Sequence, residues 1–526
     1  MSPAAPHTTR IGAFFTPLEW AKWVVEKNRL FGQWLEGAVV FDPTAGEGSF
    51  LEAFIAIAIE RNVPITEGMM TRLAGVEKEK SFVRNFFRRM HNLYGLDFPS
   101  ANFSCEDYIF SSKKIKADIV AGNPPWQNFC ALPSPYKNFL KPYFHQYHLV
   151  GNAKDLLLGG SRIDIAALII AKSLTENLAK NGKAYFFLPL SILLNGGAHR
   201  SFRNYKLGET RFAIEQVFDF KNNPIFDGVG TRYGLAVFRR DARQTFPIPY
   251  HIFESERWKK YFARPAANAG DPLSVQPRRS PVLRSFSRIE VPAESKPRQG
   301  VNTCGANGVF IFDSVVPMDE DVVFVSSASR KKIPLPSKYL FPLVVKENFD
   351  EAEPRPHRFI LLPYNEETGK ALDDSEIENE PALHAYLLSQ KPILENRKGT
   401  LINSWISKGC WWALLGVGGY SFLEHKIMWE AFGKKTYRPR IFSGRWQGNQ
   451  ALHAYIPTDD GRLASEVCSR LRHPAVQRYL SSQQMEGTCN WAQPGRISGL
   501  LNLTGKKGPS APLFSSELHL QRDSAK

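Results

Sequence analysis

One stretch constrains the fold more than any other. Gly37-Ala38-Val39-Val40-Phe41-Asp42 is a short apolar run that enters Pro43-Thr44-Ala45-Gly46-Glu47-Gly48-Ser49-Phe50, and Leu51 to Arg61 then carries apolar residues at helical spacing. A continuous apolar run of this length reads as a buried parallel strand. Gly46 and Gly48 let the backbone approach a ligand, and the helix that follows offers unpaired N–H groups. Strand, glycine turn and helix together predict a ligand cradle at the mouth of an open α/β sheet. The pattern is tighter than a GxGxxG phosphate turn. Glu47 between the glycines argues against a pyrophosphate and for a cationic ligand such as a sulfonium.

Further strands follow. Leu73-Ala74-Gly75-Val76 ends at Glu77, where an acid can hydrogen-bond the two hydroxyls of a ribose; locally, a surface glutamate beside Lys78, Glu79 and Lys80 fits as well. Asn102-Phe103-Ser104-Cys105 leads to Glu106-Asp107-Tyr108, and Lys116 to Gly122 runs into Asn123-Pro124-Pro125-Trp126. In that tetrapeptide the Asn123 amide oxygen and the Pro124 carbonyl can both accept from one exocyclic amino group. Pro124 and Pro125 stiffen the backbone that aims them, and Trp126 offers a flat face for a planar ring. Taken alone the tetrapeptide is an ordinary turn; the strand-end sites upstream give it a chemical reading.

These motifs, in this order, resemble the amino-group DNA methyltransferases, specifically the adenine-N6 type in which cofactor motifs precede the catalytic one. Gly12-Ala13-Phe14-Phe15-Thr16-Pro17 is similar to the family's amino-terminal motif, and Asp42 to Phe50 to its glycine-rich motif. The resemblance implies S-adenosylmethionine as cofactor, held by Phe15, Thr16, Pro17, Asp42, Thr44, Gly46, Gly48, Glu77, Asp107 and Asn123, with Tyr108 stacking on its adenine. It implies Asn123, Pro124, Pro125 and Trp126 as catalytic residues acting on a flipped-out adenine of double-stranded DNA. Phe226, in the loop Asn222-Asn223-Pro224-Ile225-Phe226, is a candidate second aromatic for that base, though packing beneath the loop accounts for it better. No covalent intermediate and no metal are expected.

The expected fold is a Rossmann-like class I α/β methyltransferase domain over residues 1–240, followed by a basic Pro/Arg/Ser-rich connection over 241–300. A mixed α+β target-recognition domain over 301–505 and a disordered tail over 506–526 complete the chain. Gly182 is expected at a helix C-cap before the strand that reaches Pro189. Tyr437 to Trp446 interleaves Arg438, Arg440 and Arg445 with aromatics, Trp446 included. The pattern fits arginines that read bases or hold phosphates, and it fits an exposed strand with snorkelling side chains.

Charge agrees with a polyanionic partner: 67 Lys and Arg against 51 Asp and Glu give a net +16 over 526 residues. The six cysteines show no CxxC spacing, and His145 and His148 form a lone HxxH. Neither suggests a zinc site. The longest apolar run is too short to span a bilayer and the first residues lack signal-peptide features, so a cytoplasmic, nucleoid-associated prokaryotic protein is expected. Fused relatives place a nuclease ahead of these motifs, which begin here at Gly12; the reading is modification alone, with any restriction or defence subunit on a separate chain. RNA, cytosine-N4 and protein-glutamine methylation, and a partner-gated DNA-binding subunit, are the alternatives.

Overall fold

The computed structural model describes residues 14–504, apart from 151–162, 197, 222, 224, 227, 267–268, 278–285, 328–329, 433–436 and 483–490. Gly12, Ala13 and the 506–526 tail lie outside the described residues. The chain divides into two compact units, 1–279 and 280–526.

In the first unit the described strands are β1 (Val40–Asp42), β2 (Leu73–Glu77), β3 (Phe103–Cys105), β4 (Ala117–Gly122), β5 (Leu178–Pro189), β6 (Lys206–Leu207), β7 (Thr210–Asp219), β8 (Tyr233–Arg240), β9 (Ile248–Glu254), β10 (Arg257–Pro265) and β11 (Leu273–Gln276). They form one sheet in the order β11-β10-β9-β7-β8-β5-β4-β1-β2-β3, with β6 paired to β7. β1 pairs in parallel with both β2 and β4, and β3 and β5 continue the parallel core outwards. β8 is antiparallel between β5 and β7. The chain steps outwards through β1, β2 and β3, then returns to start β4 on the other side of β1. This reversal is the topological switch point, where open α/β sheets bind ligands outside the strand carboxyl ends. The turns that leave β1 and β4 are Asp42–Gly48 and Asn123–Trp126.

The helix after the glycine turn spans Ser49–Glu60, and every residue from Phe50 to Ala58 is buried. Its one buried acid, Glu52, accepts from Arg89 Nε at 2.8 Å and from the Tyr94 hydroxyl at 2.8 Å, both on the helix Lys80–Tyr94. A charge so enclosed needs these partners.

Two expectations are corrected here. Residues 248–276 are sheet, not connection: β9 pairs in parallel with β7, and β10 and β11 extend the edge. Ile248, Tyr250 and Ile252 alternate inwards and are buried, but Pro249, Pro265 and the cations between them hide that period in the sequence. Gly182 lies within β5, not at a helix end. A Cβ there would come within 2.9 Å of the Asp118 carbonyl, so it is β4 that requires the glycine.

The second unit is mixed. Its described sheets are a four-stranded one containing His425–Glu430, Arg440–Ser443 and His453–Thr458, two three-stranded ones, and a parallel pair of Ile289–Pro292 with Leu501–Thr504. Phe310, Phe312, Phe341 and Ile360–Leu362 pack with Leu383, Leu387 and Trp412 in its main core.

Candidate active site

A cavity of about 470 Å³ opens at the switch point, within the roughly 300–1,000 Å³ range of small-molecule pockets. Phe15, Thr16, Asp42, Thr44, Gly46, Glu77, Asp107, Tyr108, Asn123 and Pro125 all line it. Residues separated by more than 100 positions thus share one wall.

Its floor is acidic. Asp42 is almost fully buried, and burial pushes its carboxyl well above the usual range, with the Thr44 N–H opposing and Glu77 adding to the shift. Glu77 is raised for the same first reason, burial. Its two oxygens accept the Gly46 N–H and the Glu79 N–H, each at 2.8 Å, so the acid fixes the glycine turn against β2. Two carboxyls pushed up by burial are relieved by a bound cation. Gly46 sits at φ +55°, and a side chain there would press on the Phe15 ring.

Gly48 has another duty. It sits at φ +83°, and a Cβ would collide with the Phe86 ring, so it serves helix packing. Glu47 turns away as well: it accepts from Asn85 Nδ2 at 3.0 Å and approaches Arg89 Nη1 at 3.7 Å. The negative field expected from Glu47 therefore comes from Asp42 and Glu77.

Asp107 lies at the far end of the cavity. Its Oδ2 accepts from the Tyr136 hydroxyl at 2.9 Å and lies 3.1 Å from Lys78 Nζ, which also sits 4.6 Å from the Tyr136 ring centre. Sequence reasoning does not reach Lys78 or Tyr136. Lys78 shows there only as a neighbour of Glu77, and Tyr136 carries no motif. Tyr108 lines the cavity with its ring held in place. Its hydroxyl is held by Ser173 Oγ at 3.0 Å and Asn177 Oδ1 at 2.6 Å, and Lys172 Nζ lies 5.5 Å from its ring centre.

Asn123 closes the other end. Its Nδ2 donates to the Phe14 carbonyl at 2.8 Å, while its Oδ1 is buried and has no hydrogen-bond partner. Thr44 Oγ1 is likewise buried and unpartnered. Gly122, just before Asn123, has no room for a side chain: a Cβ would stand 2.7 Å from Asp42 Oδ1. The exit of the loop is zipped to another segment, with Phe129 N–H donating to the Ile163 carbonyl at 2.8 Å and Ile165 N–H to the Gln127 carbonyl at 3.0 Å.

Residues 2–248 match the profile of the N-6 DNA Methylase family. The match covers just under half of the chain. The type II methyltransferase M.AccI of Acinetobacter calcoaceticus is 25% identical over 239 residues, which is 45% of this chain and 38% of that protein. A type IIL restriction-modification enzyme, MmeI, solved in complex with DNA, is 16% identical with a TM-score of 0.49, over 86% of this chain and 62% of that one. The type IIG restriction endonuclease BpuSI is 14% identical with a TM-score of 0.38, over 93% and 58%. The chain thus spans less than two thirds of each of these relatives.

S-adenosylmethionine, the methyl donor of N-6 DNA methylases, fits what this cavity presents. The paired buried carboxyls suit a sulfonium, and the unpartnered Thr44 Oγ1 supplies a polar contact. Glu77 keeps lone pairs beyond its two backbone bonds for a diol.

Several expected residues stand elsewhere. Pro17 caps the helix Leu18–Lys27, its carbonyl accepting from Trp20 N–H at 3.0 Å. Pro124 is buried and does not line the cavity. Trp126 is largely buried: Phe14, Phe226 and Tyr233 stand 5.5, 5.3 and 5.3 Å from its ring centre. Phe226 is itself buried against Trp126 and Phe187, so packing accounts for it.

The arginines of the second unit have partners within it. Arg438 pairs with Asp350 at 2.6 Å. Arg440 donates to the carbonyls of Asn348, Glu351 and Ala352. Arg445 bonds the Lys338 carbonyl and Glu366, with its guanidinium over the Phe341 ring, and Trp446 is buried beside Phe442. These cations brace the unit's own loops. Among the described residues no helix is long and apolar enough to cross a membrane.

Proposed function

We propose that this chain is a site-specific DNA methyltransferase that modifies adenine at N6. The observation that carries the reading is the lone acceptor Asn123 Oδ1, buried beside an acid-floored cofactor cavity at the switch point. S-adenosylmethionine supplies an electrophilic methyl group on a sulfonium. The chain's residues do the rest. Asp42 and Glu77 provide the anionic floor, and Glu77 takes the ribose hydroxyls. Asn123 Oδ1 and the Pro124 carbonyl each accept one N–H of the target amino group. Held so, the nitrogen lone pair leaves conjugation with the ring and turns towards the cavity. Both hydrogen bonds strengthen as positive charge develops on nitrogen, so they favour the transition state over the ground state. Trp126, with Phe226 and Tyr233 behind it, forms the apolar wall of the base site.

In this reading the second unit selects the recognition sequence. The protein acts in the cytoplasm as the modification half of a restriction-modification or phage-defence system, with a separate restriction or defence subunit. Modified-base sequencing of DNA from cells with and without the gene tests it. A new N6-methyladenine at one sequence motif is expected. Unmodified DNA despite measured cofactor binding would remove the assignment.

A further inference from the structure

We propose that the β9–β10 hairpin and the end of helix Leu18–Lys27 grip the phosphate backbone of duplex DNA beside the base site, through Lys27, Arg257 and Lys260. The proposal rests on the DNA reading above and deepens it.

Strand direction supplies the first observation. β9 runs parallel to β7, which is antiparallel to β8, itself antiparallel to β5; β5 is parallel to β4. The carboxyl end of β9 therefore faces the same edge of the sheet as the Asn123 loop, and β10 starts there. The turn is tight, with Ser255 at φ +50° and Glu256 at φ +61°, and Glu254 paired to Arg257. Such a two-residue turn follows the strand twist and holds its tip rigidly.

Ring contacts tie that tip to the base site. Trp126 lies 5.3 Å from Tyr233, Tyr233 lies 6.1 Å from Phe220, and Phe220 lies 5.2 Å from Trp258 of β10. Trp23 of the helix stacks on Trp258 at 5.5 Å. Three ring steps thus connect the base site with the hairpin tip.

Charge supplies the partner. Lys27, Arg257 and Lys260 are exposed. Lys27 Nζ lies 6.0 Å from the Phe218 ring centre, Phe218 stacks on His251 at 4.8 Å, and His251 is paired across the strands with Lys260. Two ammonium groups thus bear on one half-buried imidazole, and after burial they are what holds its pKa down. An anion seated there would relieve them. Of the acids at the tip, Glu254 is matched by Lys221 at 2.8 Å and Lys259 at 3.3 Å, and Glu256 is exposed at the turn. Core packing explains the rings; it does not explain the exposed cations around them, with Lys260 on the same face of β10 as Trp258 and Arg257 at the hairpin tip on the other face. Duplex DNA, with its dense line of phosphates, is the polyanion that a base-flipping site brings to this edge. The hairpin lies beyond the family match, which ends at residue 248.

The test is binding of a duplex oligonucleotide at several salt concentrations by the full chain. Compared with wild type, the triple variant K27Q/R257Q/K260Q is expected to bind at least tenfold more weakly at low salt. Its slope of log affinity against log salt should be shallower by roughly 2–3, about 0.9 for each phosphate that the variant no longer neutralises. Its melting temperature and S-adenosylmethionine affinity should stay at wild-type values. The charge-preserving K27R/R257K/K260R should keep the wild-type slope. An unchanged slope in the glutamine variant, while wild type binds and methylates DNA, would overturn the hairpin's role alone. A wild-type chain that takes up S-adenosylmethionine but neither binds nor methylates duplex DNA would overturn the functional reading, and this proposal with it.

Discussion

The Asn123 amide is half engaged: its nitrogen donates to the Phe14 carbonyl at 2.8 Å, and its oxygen faces a buried space with no partner. The Phe14 bond fixes which way the amide points. It assigns the acceptor, not the donor, to the substrate side.

Asn123→Ala removes that acceptor without touching the acidic floor. Turnover should fall by about 10²–10³-fold or more, while S-adenosylmethionine binding, read by calorimetry, stays within about threefold. Loss of cofactor binding in this variant would count against the role given to Asn123.

The two glycines of the turn should separate fold from ligand. Gly48→Ala meets both a φ of +83° and the Phe86 ring, and should destabilise the first unit by about 2–4 kcal/mol. Gly46→Ala, at φ +55° and touching only Phe15, should unfold far less readily yet weaken cofactor binding. Melting curves and titrations of both variants would show the split, and equal melting losses would refute it.

Asp164 gives a pH signature. It caps the helix Ile165–Lys172, accepting the Ala166 N–H at 2.9 Å, and burial pushes its pKa up to about 7 from an ordinary 3.8. The fold therefore prefers it protonated. Its stabilisation is complete below about pH 4 and is lost as pH rises towards 7. Asp164→Asn keeps a capping oxygen and abolishes the titration. Between pH 5 and 8 the variant should gain about 1–3 kcal/mol on wild type by denaturant unfolding. Neighbouring His199, held down to about 3 by burial, drives stability the other way in part of this range, so the difference between the two proteins is the measurement to take.

Arg440 is a structural arginine in a strand that looks like a nucleic-acid reader. Arg440→Ala leaves two part-buried carbonyls and an exposed one without this donor and should cost the second unit about 1–2 kcal/mol. The salt dependence of DNA binding should not move. A slope reduced by about one would make Arg440 a phosphate-binding residue after all.

What the sequence could show was local chemistry. The turns after β1 and β4 are short and their function lies in their own residues, so Asp42, Gly46, Glu77 and Asn123 are readable before any fold is known. Side-chain direction is not readable. Glu47 leaves the cavity because Asn85 and Arg89, some 40 residues later, claim it. Tyr136 joins the site because it reaches Asp107, 29 residues earlier. Whether Arg440 meets a phosphate or three carbonyls is likewise decided by a loop about 90 residues away. The β9–β10 hairpin stays hidden because its prolines and cations mask an alternation that only burial reveals.

Gly122 stands where the Asp42 carboxylate leaves room for nothing larger. The first residue of the glycine-rich motif and the residue before Asn123 therefore have to be inherited together. A chimaera joined between residues 42 and 122 would pair halves shaped for different partners. An exchange of segments is better attempted beyond residue 279, where the first unit is already complete.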